Sequence, residues 1–363
     1  MKIFLVDLEA VSTRYTGEWK SYVPSLLKKA GHNVQIIDGP TDIPAATTPG
    51  AFLNFGGTNI YKSVQVEKIS RLFCDGSVRP GDHFLLYDAW HPGIINLKYM
   101  SELLGIPVTI HALWHAGSYD PADFLGRLVG DKPWVRHAEK SFFHAIDHNY
   151  FATNFHIDMF VDNLLENGLA ENPWHEEDKS DMIADKKIVR TGWPMDYMSN
   201  TLNLYKGMKK RDLILFPHRI APEKQVEIFR DLKEQLPQYE FVVCQDQELT
   251  KNEYHNLLGE AKIVFSASLQ ETLGIGCYEG AIVDAIPMVP DRLSYTEMYY
   301  EGFKYPSEWT QDWNHYLQHR QELCHHIIVT MTHYEKRIPQ LRKLTQDLTN
   351  NFFSAGAMLA NFK

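Results

Sequence analysis

Residues 266–291 read SASLQETLGIGCYEGAIVDAIPMVPD, and the fold follows from how this stretch divides. The overlapping run KIVFSAS (262–268) is short and apolar, which predicts a buried strand ending near Ser266. Gly274 and Gly276 then form a turn, a helix starts near Cys277 and runs to Asp284, and IPMVPD is the next strand. A strand, a glycine turn and a helix in that order aim free backbone N–H groups and the positive helix end at one point. That point suits a diphosphate, with Gly274, Ile275 and Gly276 as candidate contacts. Glu271 and Glu279 flank the turn with seven residues between them. Ionised carboxylates accept hydrogen bonds from hydroxyls, so the pair fits a sugar and a ribose. An ordinary helix start carrying acidic residues has the same local signature, so the motifs around it decide.

Working outward, the same alternation of strand and helix fills both halves of the chain. In the second half DLILFPHR, YEFVVCQD and IPMVPD read as strands, with helices over 223–236 and 252–260 and mostly helix from Trp309 onward. In the first half KIFLVDL, HNVQIID, AFLNFGG, HFLLYDAW, PVTIHALW, NYFAT and KIVRTGWP read as strands. Helices are expected over 19–30, with Pro24 early in the helix, over 64–73, and over INLKYMSELLG. Alternation of this kind predicts an α/β fold with parallel sheets covered on both faces. At 363 residues the chain is expected to hold two domains. The expected division is 1–200, 201–335, and a C-terminal helix over 336–363 that packs back on the first domain. Residues 167–186 read as a polar surface excursion and 196–211 as a linker. Two such halves would face each other across a cleft lined by the carboxyl ends of their strands.

Composition excludes several classes. Hydrophobic residues make up 44% and charged residues 23%, ordinary for a globular protein. No apolar run reaches the roughly 18–20 residues a membrane span needs. The start MKIFLVDLEAV turns acidic too soon for a signal peptide, so a cytoplasmic protein is expected, in a host cytoplasm if the source is viral. Cys74, Cys244, Cys277 and Cys324 form no C-x2-C pair, and neither His325–His326 nor His111 with His115 has a third ligand at a recognisable spacing. No metal and no bound cofactor are expected. The net charge of −10 argues against coating nucleic acid through bulk charge. Lys206, Lys209, Lys210 and Arg211 form one local basic run, which reads first as a solvated linker.

The E-x7-E pair Glu271 and Glu279, followed by GAIVDAIPMVP, resembles the donor-site signature of retaining GT-B glycosyltransferases, particularly glycosyltransferase family 4. FPHRIAPEK (216–224) strengthens the likeness, because Arg219 and Lys224 follow the first strand of the second half, where that family carries an Arg and a Lys. The resemblance covers about 210–300 well and the first half by pattern only. It implies a GT-B fold of two Rossmann-like domains facing a central cleft, and a UDP- or GDP-sugar as co-substrate. It also implies roles. Glu271 would bind the transferred sugar and Glu279 the donor ribose, while Arg219 and Lys224 would hold the diphosphate and stabilise the leaving group. Fixed cations and helix-end amides favour the charge that builds there, without a metal. The family's sugar-facing loop histidine corresponds to His115, with His111 as the alternative. The chain departs from the family in its first loop, VDLEAVSTRYTGEW, which has only Gly17; Arg14 could substitute there, or the loop could meet the acceptor.

For the acceptor, Asp88, Trp90 and His91 stand in YDAWHPG at a strand end, and Trp114 and Tyr119 on the loop after the next strand. FPHR, YFATNFHIDMF and MVPDRLSYTEMY are similar to segments of the enzymes that mannosylate queuosine in tRNA, and phage enzymes that glycosylate DNA bases use related folds. That resemblance points to a hydroxylated nucleic-acid base in DNA or RNA, received by aromatic side chains. A small sugar or glycan is the alternative acceptor. A sugar-nucleotide epimerase and a non-catalytic binding module are the competing functions.

Overall fold

The computed structural model describes residues 1–11, 14–44, 46–47, 53–166 and 179–362. It divides into two units, Met1–Gly192 with Gly356–Lys363, and Trp193–Ala355. The first unit carries a parallel sheet of β1 (Lys2–Val6), β2 (Asn33–Ile37), β3 (His83–Leu86), β4 (Thr109–Leu113), β5 (His148–Phe151) and β6 (Ile188–Arg190), in the order β2-β1-β3-β4-β5-β6. The second carries β7 (Leu213–Phe216), β8 (Glu240–Val243), β9 (Ile263–Phe265), β10 (Ile286–Pro290) and β11 (Lys304–Tyr305), again parallel, in the order β11-β10-β9-β7-β8.

The central strands read as unbroken apolar runs because helices cover both faces. Leu213–Phe216 and Ile263–Phe265 are buried at every position. In the first unit one face packs Phe4 on Phe84, with ring centroids 4.7 Å apart, and Trp114 against Phe151 and Phe160. Strand order reverses between β1 and β3, and between β7 and β9. Chains leave such neighbouring strands in opposite directions, which opens a crevice at their carboxyl ends.

Some expectations need correction. AFLNFGG is no strand where it is described: Asn54 caps a helix over Phe55–Cys74, its side chain accepting from Gly57 N at 2.7 Å, while residues 51–52 lie outside the described residues. A short apolar run does not separate strand from helix by periodicity alone. The first helix starts at Tyr15, which puts Pro24 in its interior and Gly17 in its first turn. The expected linker contains a helix, Tyr197–Leu202. Helices Phe124–Val129, Pro133–Ala145 and Asn154–Phe160 were not anticipated. Of the expected surface excursion, residues 167–178 lie outside the described residues and Lys179–Ala184 is helical.

The long helix Tyr334–Phe352 groups with the second unit; only Gly356–Lys363 groups with the first. The helix is held where it is by Tyr278 stacked on Phe353 at 3.7 Å and by Thr345 Oγ1 donating to the Ala281 carbonyl.

Candidate functional site

In the second unit β7 and β9 are neighbours, Ile214 pairing with Ile263 and Leu215 with Val264. The register sets the loop after β7, Pro217 to Gln225, beside the loop after β9, Ser266 to Gly274. The two loops are stitched together. Leu269 N donates to Glu223 O at 2.8 Å, and Gln225 Nε2 donates to the carbonyls of Ala267 and Thr310 at 2.7 Å each.

Lys224 is 6% exposed, and its ammonium donates to the Gln270 carbonyl and stands 3.3 Å from Glu271 Oε2. Burial works against ionisation of Glu271, but the Lys224 charge, the His218 ring and the Gly274 N–H together hold the carboxyl below its usual range. Arg219 pairs with Glu223, its Nε donating to Oε1 at 3.1 Å, and its side chain is 31% exposed. Arg219, Lys224 and Glu271 thus lie on adjoining loops.

Gly274 caps the helix Ile275–Ile282 with φ +77° and ψ 53°, in the left-handed region that favours glycine. A Cβ there would also stand 2.7 Å from Tyr295 Cε1. Gly274→Ala is therefore expected to lower stability by about 2–4 kcal/mol, combining backbone strain with overpacking. Urea denaturation checks this; a loss under about 0.5 kcal/mol would show that the turn is not held as described. Gly276 lets the helix start approach Pro217, whose Cγ would lie 3.0 Å from an added Cβ. One turn along, Glu279 Oε2 accepts from Tyr254 Oη at 2.7 Å. Tyr254 and His218 were missed from sequence. Tyr254 belongs to the helix after β8, and only the tertiary fold brings it to Glu279. His218 is 8% exposed, and burial with the nearby Lys224 charge pushes its pKa down to about 3. Burial pushes the thiols of Cys244 and Cys277 up to about 12, so neither is a nucleophile at neutral pH.

In the first unit, a polar network gathers at the carboxyl ends of β1, β3 and β4. Burial opposes ionisation of Asp88, but Lys62 Nζ at 2.8 Å, the His115 ring and the Trp90 N–H hold its carboxyl at about 2. His115 stands 2.6 Å from the Tyr87 carbonyl through Nε2 and 2.9 Å from Tyr15 Oη through Nδ1, and burial lowers its pKa. The carbonyl partner assigns the proton to Nε2, so Nδ1 accepts from the tyrosine. His91 is engaged at both nitrogens, by Gln65 at 3.0 Å and by the Gly93 N–H at 2.9 Å. Arg14 precedes the first helix, its guanidinium 5.9 Å from the Tyr15 ring centroid. Trp90 donates from Nε1 to Glu139 at 2.8 Å and keeps part of its surface.

Three aromatic candidates are core residues instead. His111 is fully buried in β4, bonded to His83 at 2.8 Å and Tyr150 at 2.6 Å. Trp114 and Tyr119 are also fully buried, bonded to Asn149 and His156. As arranged here they cannot receive an acceptor. Half of the basic run is structural too. Lys210 caps the carbonyls of Ala261 and Val283 at 2.9 and 2.7 Å, and burial lowers its pKa to about 8. Arg211 pairs with Glu240 and Glu260. Among the described residues no three His, Cys, Asp or Glu side chains gather to hold a metal ion, and no helix is long and apolar enough to cross a membrane.

No protein-family model matches the chain, and no curated protein sequence matches it. Solved structures do. Sucrose-phosphate synthase from Thermosynechococcus elongatus superposes with a TM-score of 0.60 at 12% identity, covering 99% of this chain and 97% of that one. An α,α-trehalose-phosphate synthase (UDP-forming) from Burkholderia vietnamiensis gives 0.58 at 14%, covering 99% and 98%. The catalytic domain of starch synthase IV from Arabidopsis thaliana, bound to ADP and acarbose, gives 0.57 at 11%, covering 100% and 98%. The fold is GT-B. In this GT-B chain the clustered Arg219, Lys224, Glu271 and Glu279 lie at the strand-order reversal of the second sheet.

Proposed function

We propose that the chain is a glycosyltransferase that moves a sugar from a nucleotide-sugar donor with retention of configuration. The observation that carries this reading is the junction of the β7 and β9 loops. There Lys224 is ion-paired to Glu271, with Arg219 on the same loop and a glycine-led helix start bearing Glu279 alongside. Arg219, Lys224 and the amides of Ile275 and Gly276 hold the diphosphate and stabilise its charge as the glycosidic bond breaks. Glu279, oriented by Tyr254, takes the ribose, and Glu271 takes hydroxyls of the transferred sugar. The neighbours support such a donor: starch synthase IV was captured with ADP, and the trehalose-phosphate synthase forms UDP.

Retention is supported by the lack of a suitable base among the candidates. A base for an acceptor hydroxyl works best with a pKa near the operating pH. Asp88 is held at about 2, Glu271 is lowered and paired, and His115 has both nitrogens engaged. With none of these three candidates suited, the leaving phosphate takes the acceptor proton, on the face it departs from. The chemistry is expected to need no metal.

For the acceptor, burial of Trp114 and Tyr119 and the engagement of Lys210 and Arg211 remove much of the support for a nucleic-acid base. The hydroxyl of a small sugar or glycan is the reading these observations favour, recognised by the first unit near Asp88 and Trp90. One panel separates the two. The protein is incubated in EDTA with several nucleotide sugars, and with either free sugars and glycans or DNA and RNA bearing hydroxylated bases. A sugar-sized mass gain on a carbohydrate is expected. A gain on the nucleoside alone would restore the nucleic-acid acceptor, and activity that appears only with added Mg²⁺ or Mn²⁺ would overturn the metal-free chemistry.

A further inference from the structure

His218 lies between Pro217, which packs on the helix start at Gly276, and Arg219. Its Nε2 is buried and has no hydrogen-bond partner among the described residues. A buried ring nitrogen without a partner carries a free-energy penalty, so its persistence at such a position calls for a reason. The charged groups that act on the ring are Lys224, Glu271 and Arg219, the side chains assigned above to diphosphate and sugar.

We infer that Nε2 of His218 accepts a hydrogen bond from a hydroxyl of the transferred sugar and makes none with the diphosphate, an inference that rests on the donor reading. The ring is neutral at working pH, so it offers one N–H and one lone pair. A backbone bond at Phe265 raises the ring's pKa, as a carbonyl accepting a ring N–H does. With Nε2 unpartnered, that N–H belongs to Nδ1, and Nε2 presents its lone pair. A lone pair cannot bond a phosphate oxygen, which is also an acceptor, but it can take the proton of a sugar hydroxyl. The residue keeps 8% of its surface exposed, and Arg219 and Lys224, which act on the ring, are the groups assigned above to the diphosphate.

The test compares each of UDP-glucose, ADP-glucose and GDP-mannose with its matching nucleoside diphosphate, by calorimetry. His218→Leu should weaken binding of the accepted nucleotide sugar about three- to tenfold and change the matching diphosphate less than about twofold. Its urea midpoint should change little, because the unpartnered nitrogen goes together with the N–H that serves the Phe265 carbonyl. His218→Asn, which keeps an N–H for Phe265 but lacks the distal acceptor, serves if the leucine variant folds poorly and should show the same split. His218→Gln should recover part of the loss. Equal weakening of sugar nucleotide and diphosphate, or no change in either, would overturn the inference and leave the donor reading standing. If the wild-type protein binds none of the nucleotide sugars, the donor reading fails and this inference with it.

Discussion

Lys224→Met is expected to cost the protein both stability and turnover. The ammonium sits in a nearly closed site, donating to the Gln270 carbonyl and facing Glu271 at 3.3 Å. Removing it leaves an enclosed carboxylate without its ion partner, which costs about 3–5 kcal/mol. The carboxyl pKa of Glu271 should then rise, since the charge that holds it down is gone. Turnover should fall by about a hundred- to a thousandfold, the loss typical of removing one group that stabilises developing negative charge. The double variant Lys224→Met with Glu271→Leu separates the two effects. It should regain most of the stability, because no charge is left unpaired, and none of the turnover. Urea denaturation and steady-state rates on the single and double variants check this. A single variant within about 1 kcal/mol of wild type and with normal turnover would remove Lys224 from the chemistry.

Mild acid is expected to unfold the chain through its buried histidines. His91, His156 and His218 are held neutral by burial, each with its pKa pushed down to about 3. In the unfolded chain each ring takes a proton near pH 6.5. Between those values the unfolded state binds more protons, so stability is fully present above about pH 6.5 and falls as pH drops. Each ring contributes up to about 1.4 kcal/mol per pH unit, hence about 4 kcal/mol per unit for the three. Asp88 acts lower down: its contribution is present above its usual pKa and is lost as pH falls from about 4 to about 2. Urea midpoints should therefore decline steeply from pH 6.5 to pH 4. His156→Gln should shallow that slope by up to about 1.4 kcal/mol per pH unit. A midpoint that stays level from pH 7 to pH 5 would show that these rings are not held neutral.

The central strands and the β9 loop with its helix were legible because they are local. Buried apolar runs such as LILF and IVF announce parallel strands, and Gly274 marks a left-handed turn by identity alone. Arg219, Lys224 and Glu271 were legible because each follows a strand end, and neighbouring strands bring such ends together. What escaped depends on partners far away in sequence. Lys210 read as a solvated linker residue, yet its ammonium closes two carbonyls that lie 51 and 73 residues away. Trp114 and Tyr119 read as loop aromatics because nothing local showed Asn149 and His156 waiting for them. AFLNFGG misled through its composition, since Asn54 converts its second half into a helix start by capping Gly57.

Calorimetric binding of nucleotide sugars to the wild-type protein and to Glu279→Ala tests most directly whether the second unit holds the donor. Glu279 stands on the first turns of Ile275–Ile282 with its carboxylate oriented by Tyr254, and a charged hydrogen bond to a ribose contributes about 1.5–3 kcal/mol. The expected result is binding of at least one nucleotide sugar by the wild type and a loss of about ten- to a hundredfold in the variant, with stability lowered by no more than the lost Tyr254 hydrogen bond, about 1–3 kcal/mol. Unchanged affinity in Glu279→Ala, or no binding of any nucleotide sugar by the wild type, would contradict it.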